Sequence, residues 1–504
     1  MKLNLSLLAS AAVLLSASTA SADLTVRITG SSAFRASTVN GIKNIMTFGA
    51  GQGYAFTGTS FTGSNNHIFV GTASGVAGVL TVQCTWSGAV AGVKALNNNE
   101  NVSFLALNTA GSPTGTGTVY ALSSTGTASV NADNMDISAP AQIAMTDNTQ
   151  ASTDFTSNPL TAVKVGIIPF AFVVSRNAPA AVTNITPQIV QTLFNTGYTS
   201  ASLFTNNNAD ASDLAAGSGG TVIYAIGRDP LSGTRLVTFA ETGVGVQSVV
   251  TQYRRTAVTG VSPDQAITKI NLSLEDPALG FVAGDNGESS GGTVADNLRF
   301  KSSSIEDENN FSTGLNAAFI SYLGEADAAR AVNGTGSSVN GTGPVGCRYL
   351  KYNGVNAFGG VVISATASTT IGLPTVTIPS TTGLIAGQLV RSTTGQIPGD
   401  TVIVSVDSGT QLTLSKNATA TSAAVAFGTS NLLPEAIWSG NYTFWGYEYI
   451  MRLPSMTGET LTFFNNLKNR LTSTDFFYSG LSETSMRVSR STDGGTVGTT
   501  YGLP

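Results

Sequence analysis

The chain has 504 residues, of which 11% are charged, with a formal net charge of −5, 56 glycines, two cysteines and a single histidine. Without a basic tract it lacks the clustered Lys and Arg that phosphate-backbone binding requires, which argues against nucleic acid as a partner. Two cysteines and one histidine do not support a Cys/His zinc site.

Lys2 followed by the apolar stretch Leu5 to Leu15 and by Ala20-Ser21-Ala22 reads as a secretory signal peptide, with cleavage expected after Ala22. The apolar stretch is too short to span a bilayer, and no later segment has that length, so an exported chain without stable membrane insertion is expected. The roughly 480 residues that follow are enough for two or three domains. Their polarity comes from Ser, Thr, Asn and Gly, which suits a periplasmic or secreted protein.

Residues 23–50 read as strand, turn and helix. Leu24 to Ile28 alternates, Gly30-Ser31-Ser32 turns, and Phe34, Val39, Ile42, Ile45 and Met46 form a helical stripe. Residues 51–80 read as loop or irregular strand, with His67 an incidental surface residue in a polar loop. Leu80 to Trp86 is a strand leading into a helix start at Ser87-Gly88. Residues 107–132 are low-complexity Gly/Ser/Thr, a loop or surface hairpin. Ile143 to Thr146 is an apolar strand that delivers Asp147 at its end, and Val163 to Ser175 is a buried strand pair or crossover. Ile185 to Leu193 is a short amphipathic helix.

Val222 to Ile226 is β-rich and is followed by Arg228-Asp229-Pro230-Leu231-Ser232-Gly233-Thr234. Ser232 is a natural N-cap and Gly233 permits close backbone approach. A helix starting there directs its first N–H groups and the positive end of its dipole at an anion, to which Arg228 adds a charge-assisted contact. Ala317 to Leu323 is a further buried strand, so strands and helices alternate to about residue 330 in an α/β pattern. Residues 361–430 break it, with short Thr/Val/Ile/Leu strands between Gly, Pro and Ser turns. The aromatic run from Trp438 to Tyr449 reads chiefly as packing. Cys84 and Cys347 are either one disulfide or two buried thiols.

Gly287-Glu288-Ser289-Ser290-Gly291 matches the Gly-x-Ser-x-Gly elbow, but that elbow needs a later histidine base and none follows residue 67. No Gly-Lys pair exists to form a P-loop. No pair of acids stands out as a glycosidase signature. No enzyme activity, metal or cofactor is therefore expected.

Thr29 to Phe34, Trp86-Ser87-Gly88, Met145-Thr146-Asp147 and Arg228 through Thr234 follow one another in an order that resembles the phosphate-binding proteins of ABC importers. The likeness extends to Gly287–Gly292 and Ile320–Gly324 and covers most of residues 24–360, resuming near 432. It implies an α/β, two-lobed type 2 periplasmic-binding-protein fold with a small all-β insert, and capture of inorganic phosphate or a related oxyanion between the lobes. It implies, turn by turn, that Ala33 and Phe34 offer backbone N–H groups, that Ser32 and Ser87 add hydroxyls, and that Arg228, Ser232, Gly233 and Thr234 complete the cage. Asp147 then accepts a hydrogen bond from the anion's own O–H, which an unprotonated anion such as sulfate cannot offer. Pro230 stands where the family usually carries an acid that orients the arginine; Asp229 lies one position earlier, and Arg35 is an extra cation in the first loop.

The organisation expected is a signal peptide at 1–22, a first lobe from 23–165 with return segments 326–360 and 431–504, a second lobe at 166–325, and the all-β insert at 361–430. The function expected is an exported solute-binding protein working with an ABC permease. The alternative is a secreted surface or matrix protein that kept the binding fold without transport.

Overall fold

The computed structural model describes residues 23–58, 60–106, 122–130, 137–175, 178–207, 220–255, 267–269, 285–299, 316–333, 346–392, 395–473 and 479–499. The expected signal peptide and most of the low-complexity stretch 107–132 lie outside them.

A 13-stranded mixed sheet organises the body. In one half, Leu24–Gly30 lies parallel to both Val76–Thr85 and Ile143–Thr146, with Ile28 beside Cys84 and Gly30 beside Met145. In the other half, Thr221–Ala225 runs parallel to Asn316–Gly324. The strands Thr161–Val174 and Trp445–Arg452 sit between the halves, antiparallel to each other, and join them into one hydrogen-bonded sheet. The boundary expected at 165/166 therefore falls inside a continuous 14-residue strand. That strand is buried from Val165 onward, which is why its sequence reads as an unbroken apolar run.

Helices cover the sheet. Arg35–Ile45 packs on Gly458–Leu471, Ala89–Asn98 lies over Leu24–Gly30 and Ile143–Thr146, and Gly233–Thr242 packs against Pro187–Thr196 and Asn316–Gly324. A single apolar core runs through both halves, including Phe34, Trp86, Phe170, Phe172, Tyr322 and Trp445.

Two expectations in the first half are corrected. Residues 51–80 form regular antiparallel strands, Gly53–Thr57 and Asn66–Ala73, the latter pairing with Val76–Thr85. Tyr54, Phe56 and Phe69 bury from this sheet, and their aromatic area outweighs the surrounding Gly, Thr and Asn. His67 is fully buried in the second of these strands. Its Nε2–H donates to the Phe61 carbonyl at 2.6 Å, and its Nδ1 accepts from the Trp86 indole at 3.1 Å. Burial holds its pKa down at about 3, so it is a neutral structural residue. Cys84 and Cys347 are two buried thiols that are not joined in a disulfide, and the Cys347 Sγ donates to the Leu298 carbonyl.

Within 361–430 the chain closes a six-stranded barrel, in the order Ser364–Thr369, Thr375–Thr377, Gln411–Leu414, Thr401–Val406, Leu389–Ser392 and Ser422–Thr429. Closure removes the free sheet edges. The barrel has its own core, with Val376, Leu412, Leu414, Val425 and Phe427 at its centre. It is tied to the body through Arg391, which pairs with Glu325 at 2.8 Å, both side chains being largely buried.

Candidate functional site

Five segments meet at one point, and each is aimed there by local sequence. Strand Leu24–Gly30 ends at a glycine with φ +122°, where a Cβ would lie 2.0 Å from the Met145 carbonyl. Only glycine allows the first loop to press this closely on the neighbouring strand. Ser31 N–H then donates to the Met145 carbonyl at 2.7 Å, and Ser31 Oγ accepts from the Ala33 amide at 3.1 Å. Ser32, Ala33 and Phe34 are buried at the head of helix Arg35–Ile45, whose N-cap, Phe34, supplies no side-chain cap.

The second helix start is closed by the opposite half of the molecule. Gly88 N–H donates to the Gly30 carbonyl at 3.0 Å, and Ala91 N–H donates to the Leu231 carbonyl at 3.1 Å. A Cβ on Gly88 would sit 2.7 Å from that same carbonyl. Ser87 makes no cap here and is exposed, unlike the other expected site residues.

The Arg228–Thr234 segment folds as its sequence suggests. Ser232 Oγ accepts from the Arg235 amide at 3.3 Å and starts helix Gly233–Thr242. Gly233 faces Asp147 across the junction: a Cβ would come within 1.9 Å of Asp147 Oδ1, 2.6 Å of the Ala89 Cβ and 2.7 Å of Asn148 Oδ1. Thr234 Oγ1 donates to Asp147 Oδ2 at 3.2 Å, while Oδ1 has no partner. Asp147 is 1% exposed, and burial pushes its carboxyl up to about 6, against the pull of its own amide, Arg228 and Thr234.

Arg228 is 2% exposed. Its Nε donates to the Glu288 carbonyl and its Nη2 to the Ser289 carbonyl, each at 2.9 Å. Backbone carbonyls of the 287–291 turn thus orient the guanidinium. Asp229 Oδ1 instead accepts from the Leu231 amide at 2.9 Å, shaping the turn. A Cβ on Gly287 would fall 2.1 Å from the Arg228 carbonyl carbon, so the Gly-x-Ser-x-Gly match serves this close approach. Arg35 Nε donates to the Thr62 carbonyl and its Nη1 to Asn65 Oδ1, and it lines a separate cleft of about 410 Å³ with Asp327 and Arg330.

The structure therefore brings Ser32, Ala33, Phe34, Asp147, Arg228, Ser232, Gly233 and Thr234 to one buried junction between the halves, with Ser87 at its rim. Three helix N-termini bring their dipoles to the same region. One group was missed by sequence reasoning: Glu448, on Trp445–Arg452, is fully buried, neither of its oxygens has a partner, and it interacts electrostatically with Asp147. An acid in the middle of an otherwise apolar and aromatic strand was the signal. Among the described residues, no group of three or more His, Cys, Asp or Glu is arranged to hold a metal, and no helix is long and apolar enough to cross a membrane.

No family model matches the chain, and no curated protein does. Solved structures overlap it at a distance. A provisionally assigned phosphate ABC transporter substrate-binding protein with bound phosphate from Clostridium perfringens is 10% identical, with 90% of this chain and 99% of that one covered and a TM-score of 0.35. An ABC-type phosphate transport receptor from Vibrio cholerae is 11% identical, covering 88% and 94%, with a TM-score of 0.34. PstS from Borrelia burgdorferi is 10% identical, covering 89% and 92%, with a TM-score of 0.29.

Proposed function

We propose that the chain is an exported solute-binding protein that captures inorganic phosphate or a related oxyanion between two lobes and delivers it to an ABC permease. The observation that carries this reading is the buried junction itself. Asp147 keeps one oxygen unpartnered beside Gly233, Thr234 reaches it from the opposite half, and Arg228 is locked in place by two carbonyls. A permanently charged guanidinium, backbone N–H groups at helix starts and one acceptor match an oxyanion that carries a proton.

The roles assigned are backbone donation by Phe34, Gly233 and, once released from Ser31 Oγ, Ala33; hydroxyl donation by Ser32, Ser87, Ser232 and, once released from Asp147, Thr234; charge from Arg228; and acceptance by Asp147. Closure of the lobes on the anion replaces catalysis as the working step. Calorimetric titration of the mature protein with phosphate tests the reading, and no binding at millimolar phosphate would sink it. N-terminal sequencing of exported protein tests cleavage after Ala22.

A secreted surface or matrix role is the second reading. It is favoured by the barrel, which exposes Ile371, Leu373, Val404 and Val406. Phosphate binding with a permease requirement separates the two.

A further inference from the structure

Glu448 stands on the strand that joins the two halves, and its side chain can be placed by its neighbours. Directly opposed residues of an antiparallel pair project to the same face. Glu448 is opposite Gly166, and a Cβ on Gly166 would lie 3.1 Å from the Phe34 ring. Gly446, two residues earlier and so on the same face, would place a Cβ 3.1 Å from the Asp147 carbonyl oxygen. Glu448 therefore lies on the face that carries the Phe34 ring and Asp147, at the floor of the junction. Trp445, Tyr447 and Tyr449 occupy the opposite face, where Lys164 stacks on Tyr447.

The surrounding elements offer this carboxyl no cation of its own. Gly166 and Ile168 line the facing strand, Val237 approaches from helix Gly233–Thr242, and the Phe34 ring packs beside it over Gly166. Arg452, on the same face four residues on, stacks over Phe464. Arg228 and Arg35 lie above the floor, held by carbonyls and Asn65. Burial first, and then the charge of Asp147, raises the Glu448 pKa well above the ordinary value. Two buried carboxyls that feel each other's charge do not both ionise readily, and Glu448, which unlike Asp147 has no hydrogen-bond donor to favour its charge, is the one that keeps its proton.

We infer that Glu448 is the floor of the oxyanion site and binds as a neutral acid, donating its hydroxyl to an oxygen of the anion while Asp147 accepts from the anion's own proton. This rests on the oxyanion reading above. It makes the ligand a tetrahedral oxyanion with at least one proton and at least one bare oxygen, held by one carboxyl of each kind. A carboxylic acid can supply a donor here that an ionised one cannot.

The test is phosphate titration of the wild type, Glu448→Gln and Glu448→Met at neutral pH and upward through the alkaline range. The glutamine keeps a donor and no charge, so it should bind within a few-fold of wild type. The methionine fills the space without a donor and should bind about tenfold to a hundredfold more weakly. Wild-type affinity should fall as Glu448 loses its proton at high pH, and that fall should be absent in Glu448→Gln. Matching pH profiles of wild type and Glu448→Gln overturn the assignment, as does a folded Glu448→Met variant with wild-type affinity. Should the methionine variant not fold, the glutamine pH profile decides alone. A wild type that binds no phosphate at any pH overturns the inference together with the reading beneath it, and that outcome is visible before any variant is made.

Discussion

Asp147→Asn should stabilise the protein and abolish anion binding together. Asp147 is buried, and its carboxyl is raised from 3.8 to about 6, with desolvation the leading cause. The folded state thus holds this proton more tightly than the unfolded chain. Folding is favoured most below the unfolded value, and that advantage is lost as pH rises from about 4 through about 6. A shift of about two units corresponds to about 3 kcal/mol of destabilisation above pH 6, at ~1.4 kcal/mol per unit. Asparagine has the same shape, can still accept from Thr234, and carries no charge to desolvate. At about 2 °C per kcal/mol for a cooperative unit of ~250 residues, the variant should melt about 6 °C higher than wild type at pH 8 and about equally at pH 4. Calorimetric melts across that range, with and without phosphate, measure both halves of the claim. A variant that melts lower than wild type at pH 8, or whose difference from wild type does not change with pH, would refute the reasoning.

Other perturbations follow from the same geometry. Gly233→Ala drives a methyl into Asp147 and Ala89; overpacking of about 1–3 kcal/mol at the junction should weaken phosphate binding by about fivefold to a hundredfold in calorimetry. Arg228→Ala should lose most phosphate binding. His67→Ala should leave the affinity unchanged but cost about 2–4 kcal/mol in denaturant unfolding, because two buried hydrogen bonds and a ring are removed. With its pKa near 3, the stabilisation that neutral His67 provides should be lost progressively as pH falls from about 6.5 toward 3, so wild-type and variant unfolding curves should converge in acid. Arg391→Met leaves Glu325 buried with only Ser430 and the Gly480 amide as partners; about 3–5 kcal/mol is at stake, and limited proteolysis near residues 360 and 430 should speed up.

What the sequence revealed was local. The Ser232 cap, the glycine beside it and the acid at the end of Ile143–Thr146 each depend on a few adjacent residues, and each is found where the pattern placed it. The misreadings concern groups whose environment is supplied from afar. His67 has polar neighbours on its N-terminal side, yet His67-Ile68-Phe69-Val70 alternates into a sheet whose next strand carries Cys84 and leads into Trp86. Pro230 suggested a missing partner for Arg228; the partners are backbone carbonyls 60 and 61 residues away, which leave no side-chain signature. Glu448 was submerged in a run of aromatics, and its isolation is visible only once both flanking strands are in place.

The shared sheet has a mechanical meaning. The two halves hang on a pair of adjacent strands rather than on flexible linkers, so separating them must twist or bend that pair like a torsion bar. The register of the pair slips once, between Lys164 and Gly166, directly opposite Glu448. A bulge is where a ladder is locally broken and most easily bent. A bend in the shared pair and the proposed floor of the site thus coincide, and an anion seated on Glu448 would press on the fulcrum of its own enclosure.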